Sequence, residues 1–264
     1  MKIKANGIDI HYEISGSGPC VVFAHSLGSD LSIWAAQKSA LAGRHTVLCY
    51  DIRGHGQTEA TAGAYNFDML ATDVIALLDA LKIETASFVG ISLGGMIGQA
   101  LALTAPDRLD RLVFADTTSR YPPEAQAAWP DRIRQIEASG LEVLVAPTLE
   151  RWFTAPFRAA HPEVMTRIGQ LIRSTPVAGY IGCCHAIANL SFTNRLATIK
   201  TPTLVLVGDQ DVGTPPAMAR ELAAAISGAR LEIIPGAAHL SNIEQADIFN
   251  QNIASFLQPS STDF

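Results

Sequence analysis

The chain has 264 residues, of which 48% are hydrophobic and 17% charged, enough apolar material for one large domain or one domain with an insertion. Nineteen Lys and Arg against 25 Asp and Glu leave a formal net charge of −6, and no basic block offers a phosphate track, which argues against a nucleic-acid partner. No apolar run approaches the roughly 18 residues of a membrane span, so no membrane partner is expected either.

Met1 to Gly7 reads as the start of a first strand and not as a signal peptide. Ile8 to Ile14 alternates as an edge strand would. Cys20–Ala24 and Val47–Tyr50 are continuous apolar runs, suited to parallel strands buried on both faces. Phe67 to Leu81 carries Leu70, Val74, Leu77, Leu78 and Leu81 at helical spacing. Ala86–Val89 is a strand, Gly95–Ala102 is helix-like, and Arg108–Ala115 is again a strand.

Between about Arg120 and Ile199 the strand signal stops. Ile133, Ile136, Leu141, Leu144, Leu149 and Trp152 mark helical faces, followed by Val164, Ile168, Leu171 and Ile172, then Tyr180, Cys184 and Ile187. Prolines at 122, 123, 130, 147, 156, 162 and 176 cut this stretch into short helices. Thr203–Val207 and Arg230–Ile234 resume the strands, each followed by a helix, Ala217–Ile226 and Ile243–Leu257. Pro215 and Pro216 suit the start of the first of these. The expected fold is α/β: a mostly parallel sheet with helices on both faces. Residues 1–119 and 200–264 would form the core, and 120–199 a helical cap over the edge where ligands bind in open sheets.

The cysteines Cys20, Cys49, Cys183 and Cys184 make no C-x-x-C. They read as the thiols of a reduced, cytoplasmic enzyme without disulfide or zinc cluster.

Gly90-Ile91-Ser92-Leu93-Gly94 lies between the strand and the helix, the setting that gives a G-x-S-x-G elbow its meaning. Ser92 is the candidate nucleophile. Its base is sought in a loop at a strand's C-terminal end, and His239, just after Ile234, stands in one. His11, His45, His161 and His185 read as ordinary structural histidines. His25 and His55 precede the elbow, and His25 reads as tying down its own loop. Of the carboxylates in Gly208-Asp209-Gln210-Asp211, Asp211 is better placed to orient the histidine, whereas Asp209 reads as a turn cap. Glu244 could also reach His239, yet it reads as a first-turn helix carboxylate.

The order Ser92, Asp211, His239 is that of the α/β-hydrolases. The N–H of Leu93 is one oxyanion donor. Leu27, with Ser26 second, is the choice for the other. Asp51-Ile52-Arg53-Gly54-His55-Gly56 lacks both dinucleotide and Walker spacing and reads as scaffold around the pocket.

With these segments in view the chain resembles the α/β-hydrolase superfamily along its whole length, and within it the 3-oxoadipate enol-lactonases. The likeness is carried by Ser26–Asp30, Tyr50–Gly56, Gly90–Gln99, Thr148–Thr154, Gly179–Ile187 and Gly236–Gln245. It departs at His25, a residue that many other hydrolases of the superfamily carry. The resemblance implies Ser92 as nucleophile, Asp211 and His239 as its partners, Leu27 and Leu93 as oxyanion donors, and lactone opening as the reaction. It implies no metal or organic cofactor. An esterase or lactonase with another acyl substrate is the alternative.

The enol-lactone is a small anion. An acidic enzyme that binds it needs local positive groups, and the cap offers Arg132, Arg134, Arg151 and Arg158. Arg151 and Trp152 are the expected substrate contacts, with Trp129 an anchor of the cap. Monomer and homodimer both stay open.

Overall fold

The described residues, 1–258 of a computed structural model, form an eight-stranded sheet; 259–264, the tail of the expected second core segment, lie outside them. The strands are β1 (Lys2–Ala5), β2 (Ile8–Gly16), β3 (Cys20–Ala24), β4 (Thr46–Tyr50), β5 (Ala86–Ile91), β6 (Leu109–Ala115), β7 (Thr203–Gly208) and β8 (Arg230–Ile234). Their order across the sheet is β1-β2-β4-β3-β5-β6-β7-β8. β2 runs antiparallel to both neighbours, and every pair from β4 onward is parallel.

The central strands are apolar because helices cover both faces; β5 and β7 are buried at every position. The helices of the core are α1 (Ala35–Leu41), α2 (Phe67–Ala80) and α3 (Leu93–Thr104). Asn66 caps α2 by accepting from Met69 N at 2.8 Å, and the Leu70–Val74–Leu77–Leu78 stripe is buried.

Between β6 and β7 come six helices: α4 (Pro123–Ala127), α5 (Trp129–Ser139), α6 (Glu142–Trp152), α7 (Ala155–Ala160), α8 (Pro162–Ser174) and α9 (Val177–Ala188). After β7 follow α10 (Pro216–Ala225), α11 (Ser241–Glu244) and α12 (Ala246–Leu257). α9 anchors the inserted segment to the core. A Cβ on Gly179 would stand 2.1 Å from Gly54 O, so α9 lies backbone to backbone on the loop after β4. Tyr65 N donates to Gly182 O at 3.1 Å beside it.

Four elements differ from the sequence reading. β2 is not an edge strand, because β1 pairs along it and takes the edge with its exposed Lys2 and Lys4. The alternation in β2 is matched by exposure only at its start, where Asp9 is exposed between buried Ile8 and Ile10; His11 is buried and Ile14 exposed. The closing helix is broken at Gln245, whose φ of −127° and ψ of 55° separate α11 from α12. Pro147 does not cut a helix but lies inside α6, while prolines 123, 130, 156 and 162 begin helices as expected. Helix α1, short and rich in Ala, carries too weak a periodicity to be read from sequence.

Candidate active site

β5 ends at Ile91, Ser92 follows with φ 53° and ψ −114°, and α3 begins at Leu93. A left-handed φ at a residue with a Cβ costs on the order of 1–3 kcal/mol and persists only where its surroundings hold it. Here Ser92 N donates to Ala115 O at 2.9 Å, and Ser92 O accepts from Thr117 Oγ1 at 2.8 Å and Met96 N at 3.1 Å. Gly94 is required by close approach, since its Cβ would lie 2.1 Å from Ala24 O. Gly94 N donates to His25 O at 3.1 Å, joining the elbow to the loop after β3.

The loops after β7 and β8 bring the partners. His239 Nε2 lies 2.9 Å from Ser92 Oγ, and Nδ1 lies 2.8 Å from Asp211 Oδ2. The second contact fixes the proton on Nδ1 and leaves Nε2 to accept from Ser92. Asp211 also accepts from Gly213 N (2.7 Å), Thr214 N (3.0 Å) and Thr214 Oγ1 (2.7 Å). Asp209 instead accepts from Gly236 N at 2.9 Å and joins the β7 and β8 loops.

Burial alone would depress the pKa of His239, but the adjoining Asp211 carboxylate outweighs it and leaves it raised above 6.5. Burial likewise disfavours Asp211 as an anion; His239 and the Thr214 donors outweigh that and hold it below the usual carboxylate range. A second buried carboxyl, Asp116 after β6, was not singled out in the sequence. It accepts from Gly208 N at 2.8 Å and Ser241 Oγ at 2.5 Å, and burial followed by the Asp211 charge pushes it up to about 8. Of the two buried carboxyls, only Asp211 bonds the histidine.

Leu93 N, at the first position of α3, has no intrahelical acceptor. Among the described residues Leu27 N also has no acceptor, and Leu27 lines the same cavity as Ser92. Ser26 is fully buried, with its hydroxyl 3.0 Å from that of Ser29. His25 does tie its loop down: Nδ1 donates to Ser26 O at 2.8 Å, and Nε2 accepts from Ile52 N at 2.9 Å. Burial pushes His25 down to about 4, and burial with its neighbour His25 pushes His55 to about 3, so both are neutral. The turn after β4 is internally bonded: Asp51 accepts from Leu31 N, Gln57 N and His11 Nδ1, and Arg53 pairs with Asp73.

The cavity over Ser92 and His239 has a volume of about 590 Å³, within the range of small-molecule sites. The segment between β6 and β7 supplies most of its wall, notably Tyr121 ahead of α4 and Trp129, Arg132, Arg151, Trp152 and Tyr180 on the helices. Trp152 is stacked beside His239, with ring centroids 6.3 Å apart and planes 29° apart. Arg132 Nη2 donates to Tyr180 Oη at 2.6 Å and its guanidinium lies over the Trp129 ring at 5.4 Å. Its Nε is buried without a hydrogen-bond partner among the described residues. Burial first, and then the Arg132 charge, lowers the pKa of Arg151. Among the described residues no carboxylate forms an ion pair with either arginine.

Of the four arginines weighed from the sequence, Arg132, Arg134, Arg151 and Arg158, two face the cavity. Arg134 pairs with Asp131 at the surface, and Arg158 donates to the carbonyls of Glu150 and Phe153. Trp129 is a correction: it lines the cavity under Arg132 and is more than an anchor. Glu244 is another. It stands on α11, ahead of the long closing helix, and accepts from Ala238 N at 2.9 Å and Thr154 N at 3.0 Å. Tyr121 and Tyr180 were missed as site residues; Tyr180 looked like one more apolar position of a helical face.

A serine held by a histidine that a buried carboxylate orients can attack an acyl carbon. The comparisons agree with that chemistry. Residues 19–246 match the α/β hydrolase fold family. The chain is 36% identical to 3-oxoadipate enol-lactonase 2 of Acinetobacter baylyi, over 97% of this chain and 96% of that protein. The crystal structure of the enol-lactonase from Burkholderia xenovorans LB400 is 40% identical, with a TM-score of 0.94 and coverage of 97% and 99%. A thermophilic esterase from Thermogutta terrifontis, solved with malate bound, is 29% identical, with a TM-score of 0.92 and coverage of 97% of each chain. The fold, the matched span and these relatives together make the chain a member of the α/β-hydrolase fold family and a hydrolase of ester bonds.

Proposed function

We propose that this enzyme opens the lactone ring of 3-oxoadipate enol-lactone to give 3-oxoadipate through an acyl-enzyme on Ser92. The observation that carries the substrate is the pair Arg132 and Arg151: neighbouring cations without a carboxylate partner in the cavity that holds Ser92. Two neighbouring guanidinium groups repel one another unless an anion lies between or beside them, and guanidinium matches a carboxylate in shape as well as charge. The enol-lactone carries one carboxylate before ring opening, and its product carries two. The similarity to two enol-lactonases supports the same reading.

In this mechanism residues 120–199 act as a cap that selects the ligand. Arg132 and Arg151 hold the substrate carboxylate, and Trp152 lies over the lactone ring. Ser92 gives its proton to His239 Nε2 as its oxygen bonds to the lactone carbonyl carbon. The oxyanion takes hydrogen bonds from Leu27 N and Leu93 N, each worth on the order of 3 kcal/mol to the transition state. Collapse breaks the bond between the carbonyl carbon and the enol oxygen. The enolate leaves readily, takes the proton from His239 Nε2, which returns to its neutral form, and tautomerises to the ketone. Water, deprotonated by His239, then attacks the acyl-enzyme and frees the second carboxylate together with Ser92. Asp211 stabilises the imidazolium in both steps.

A second reading is an esterase or lactonase for a different acyl substrate, favoured by a cavity of about 590 Å³, more than a six-carbon lactone fills. The two readings part on one assay: kcat/KM for 3-oxoadipate enol-lactone against p-nitrophenyl acetate. The enol-lactone reading expects a preference of at least about a hundredfold, roughly 3 kcal/mol of discrimination. Equal or reversed values leave the second reading.

A further inference from the structure

The loop that carries His239 is bracketed. On one side of the histidine, Ala238 N donates to Glu244 Oε2 at 2.9 Å. On the other, Leu240 N donates to Trp152 O at 3.1 Å. The other oxygen of Glu244 reaches into the inserted helices, where Oε1 accepts from Thr154 N at 3.0 Å and from Thr154 Oγ1. Thr154 stands two residues beyond Trp152, whose ring is stacked beside the imidazole. The contacts therefore close a ring: His239 loop, Glu244, Thr154, Trp152, and back to the His239 loop. Glu244 is almost wholly buried, and each of its oxygens has a different partner segment. A carboxylate acceptor holds its donors roughly twice as firmly as a neutral one would.

We propose that Glu244 is a positioning residue for the base: it fastens the His239 loop to the Trp152–Thr154 segment, so that the alignment of His239 with Ser92 depends on the inserted helices. This rests on the reading of Ser92 and His239 as nucleophile and base, and does not depend on which lactone or ester is the substrate. The inserted segment is then more than a selective wall. Its Trp152–Thr154 end is part of the frame that keeps the imidazole within hydrogen-bond reach of the serine.

The rate at which p-nitrophenyl diethyl phosphate modifies Ser92, followed by mass spectrometry and normalised to folded protein, reads that alignment without any natural substrate. E244Q keeps the shape but turns an amide N–H₂ toward one of the backbone donors, and labelling should slow by at least about tenfold. T154V loses the hydroxyl arm and should label about threefold or more slowly, whereas T154S, which keeps it, should stay within about twofold of the wild type. If E244Q does not fold, the T154V and T154S pair decides alone. Wild-type labelling rates in T154V, or in a folded E244Q with only its Tm lowered, overturn the proposal and leave a structural tie. A wild-type enzyme that takes no label overturns the underlying reading of Ser92, and the clamp with it.

Discussion

The sheet edge and the inserted helices reach the same cavity by different means. At the sheet edge the elbow and the carboxylate are fixed by backbone: Ser92 N on Ala115 O, Gly94 N on His25 O, and Asp211 by two amide donors of its own turn. Strands β3, β5, β6 and β7 are hydrogen-bonded neighbours, so their C-terminal ends cannot shift independently. The inserted helices meet this edge at a few points, chiefly Gly179 on Gly54, Tyr65 N on Gly182 O, and Thr154 on Glu244. Their contribution to the cavity is made by side chains, chiefly two arginines, two tryptophans and Tyr180. The rigid region thus holds the groups suited to bond making, and the side-chain wall holds those suited to choosing a ligand. Losses at the sheet edge should therefore appear mainly in kcat, and losses among the cavity-facing side chains of the inserted helices in the ranking of substrates. The Trp152–Thr154 end, tied to the His239 loop, belongs with the first.

That division can be broken most severely at Ser92. Ser92→Ala should reduce kcat by at least about a thousandfold with the fold intact by circular dichroism, as expected for a covalent nucleophile. An S92A enzyme retaining a tenth of the wild-type rate would remove the sheet edge from the chemistry. Asp211→Asn comes next, with a loss on the order of a thousandfold from a misoriented imidazole. It also carries a pH signature. The base must be neutral, so kcat/KM falls as the pH drops through the pKa of His239, which lies above 6.5 in the wild type. Without the Asp211 carboxylate, burial dominates, and the acid limb of the D211N profile should move below that of the wild type. A limb that moves upward or stays in place would mean that Asp211 does not set the basicity of His239. Asp209→Asn, facing Gly236, should cost far less than D211N in the same assay.

The two regions also differed in how far the sequence disclosed them. Cys20–Ala24, Ala86–Val89 and Thr203–Val207 announce themselves as largely apolar runs because a strand covered on both faces has few polar positions, Ser87 and Thr203 being the exceptions here. The elbow is a local motif, and the loops after β7 and β8 follow from strand order, so the three residues now within hydrogen-bond reach of one another could be named from the chain alone. The inserted helices resist such reading. Periodicity finds the stripe that faces the core, as with Ile133 and Ile136, but says nothing about which flank faces a cavity. Arg132 and Tyr180 meet through a hydrogen bond and a ring contact between α5 and α9, helices that are distant in sequence. The same holds for Glu244, whose partner Thr154 stands 90 residues earlier. Asp116 was hidden for a further reason: an acid at a strand end looks like an ordinary turn residue until its burial and positive φ are seen. Pro147 misled in the opposite direction, since α6 tolerates it by forgoing one backbone donor.

The claim that the inserted wall chooses an anion is tested most directly by one ratio, kcat/KM for 3-oxoadipate enol-lactone over that for neutral γ-butyrolactone, measured in the wild type and in an R132A/R151A double variant. Each charge-assisted hydrogen bond to the carboxylate contributes about 1.5–3 kcal/mol, so removing both cations should collapse the ratio by at least about a hundredfold. A ratio that stays the same in the double variant, with both substrates slowed equally, would contradict the account.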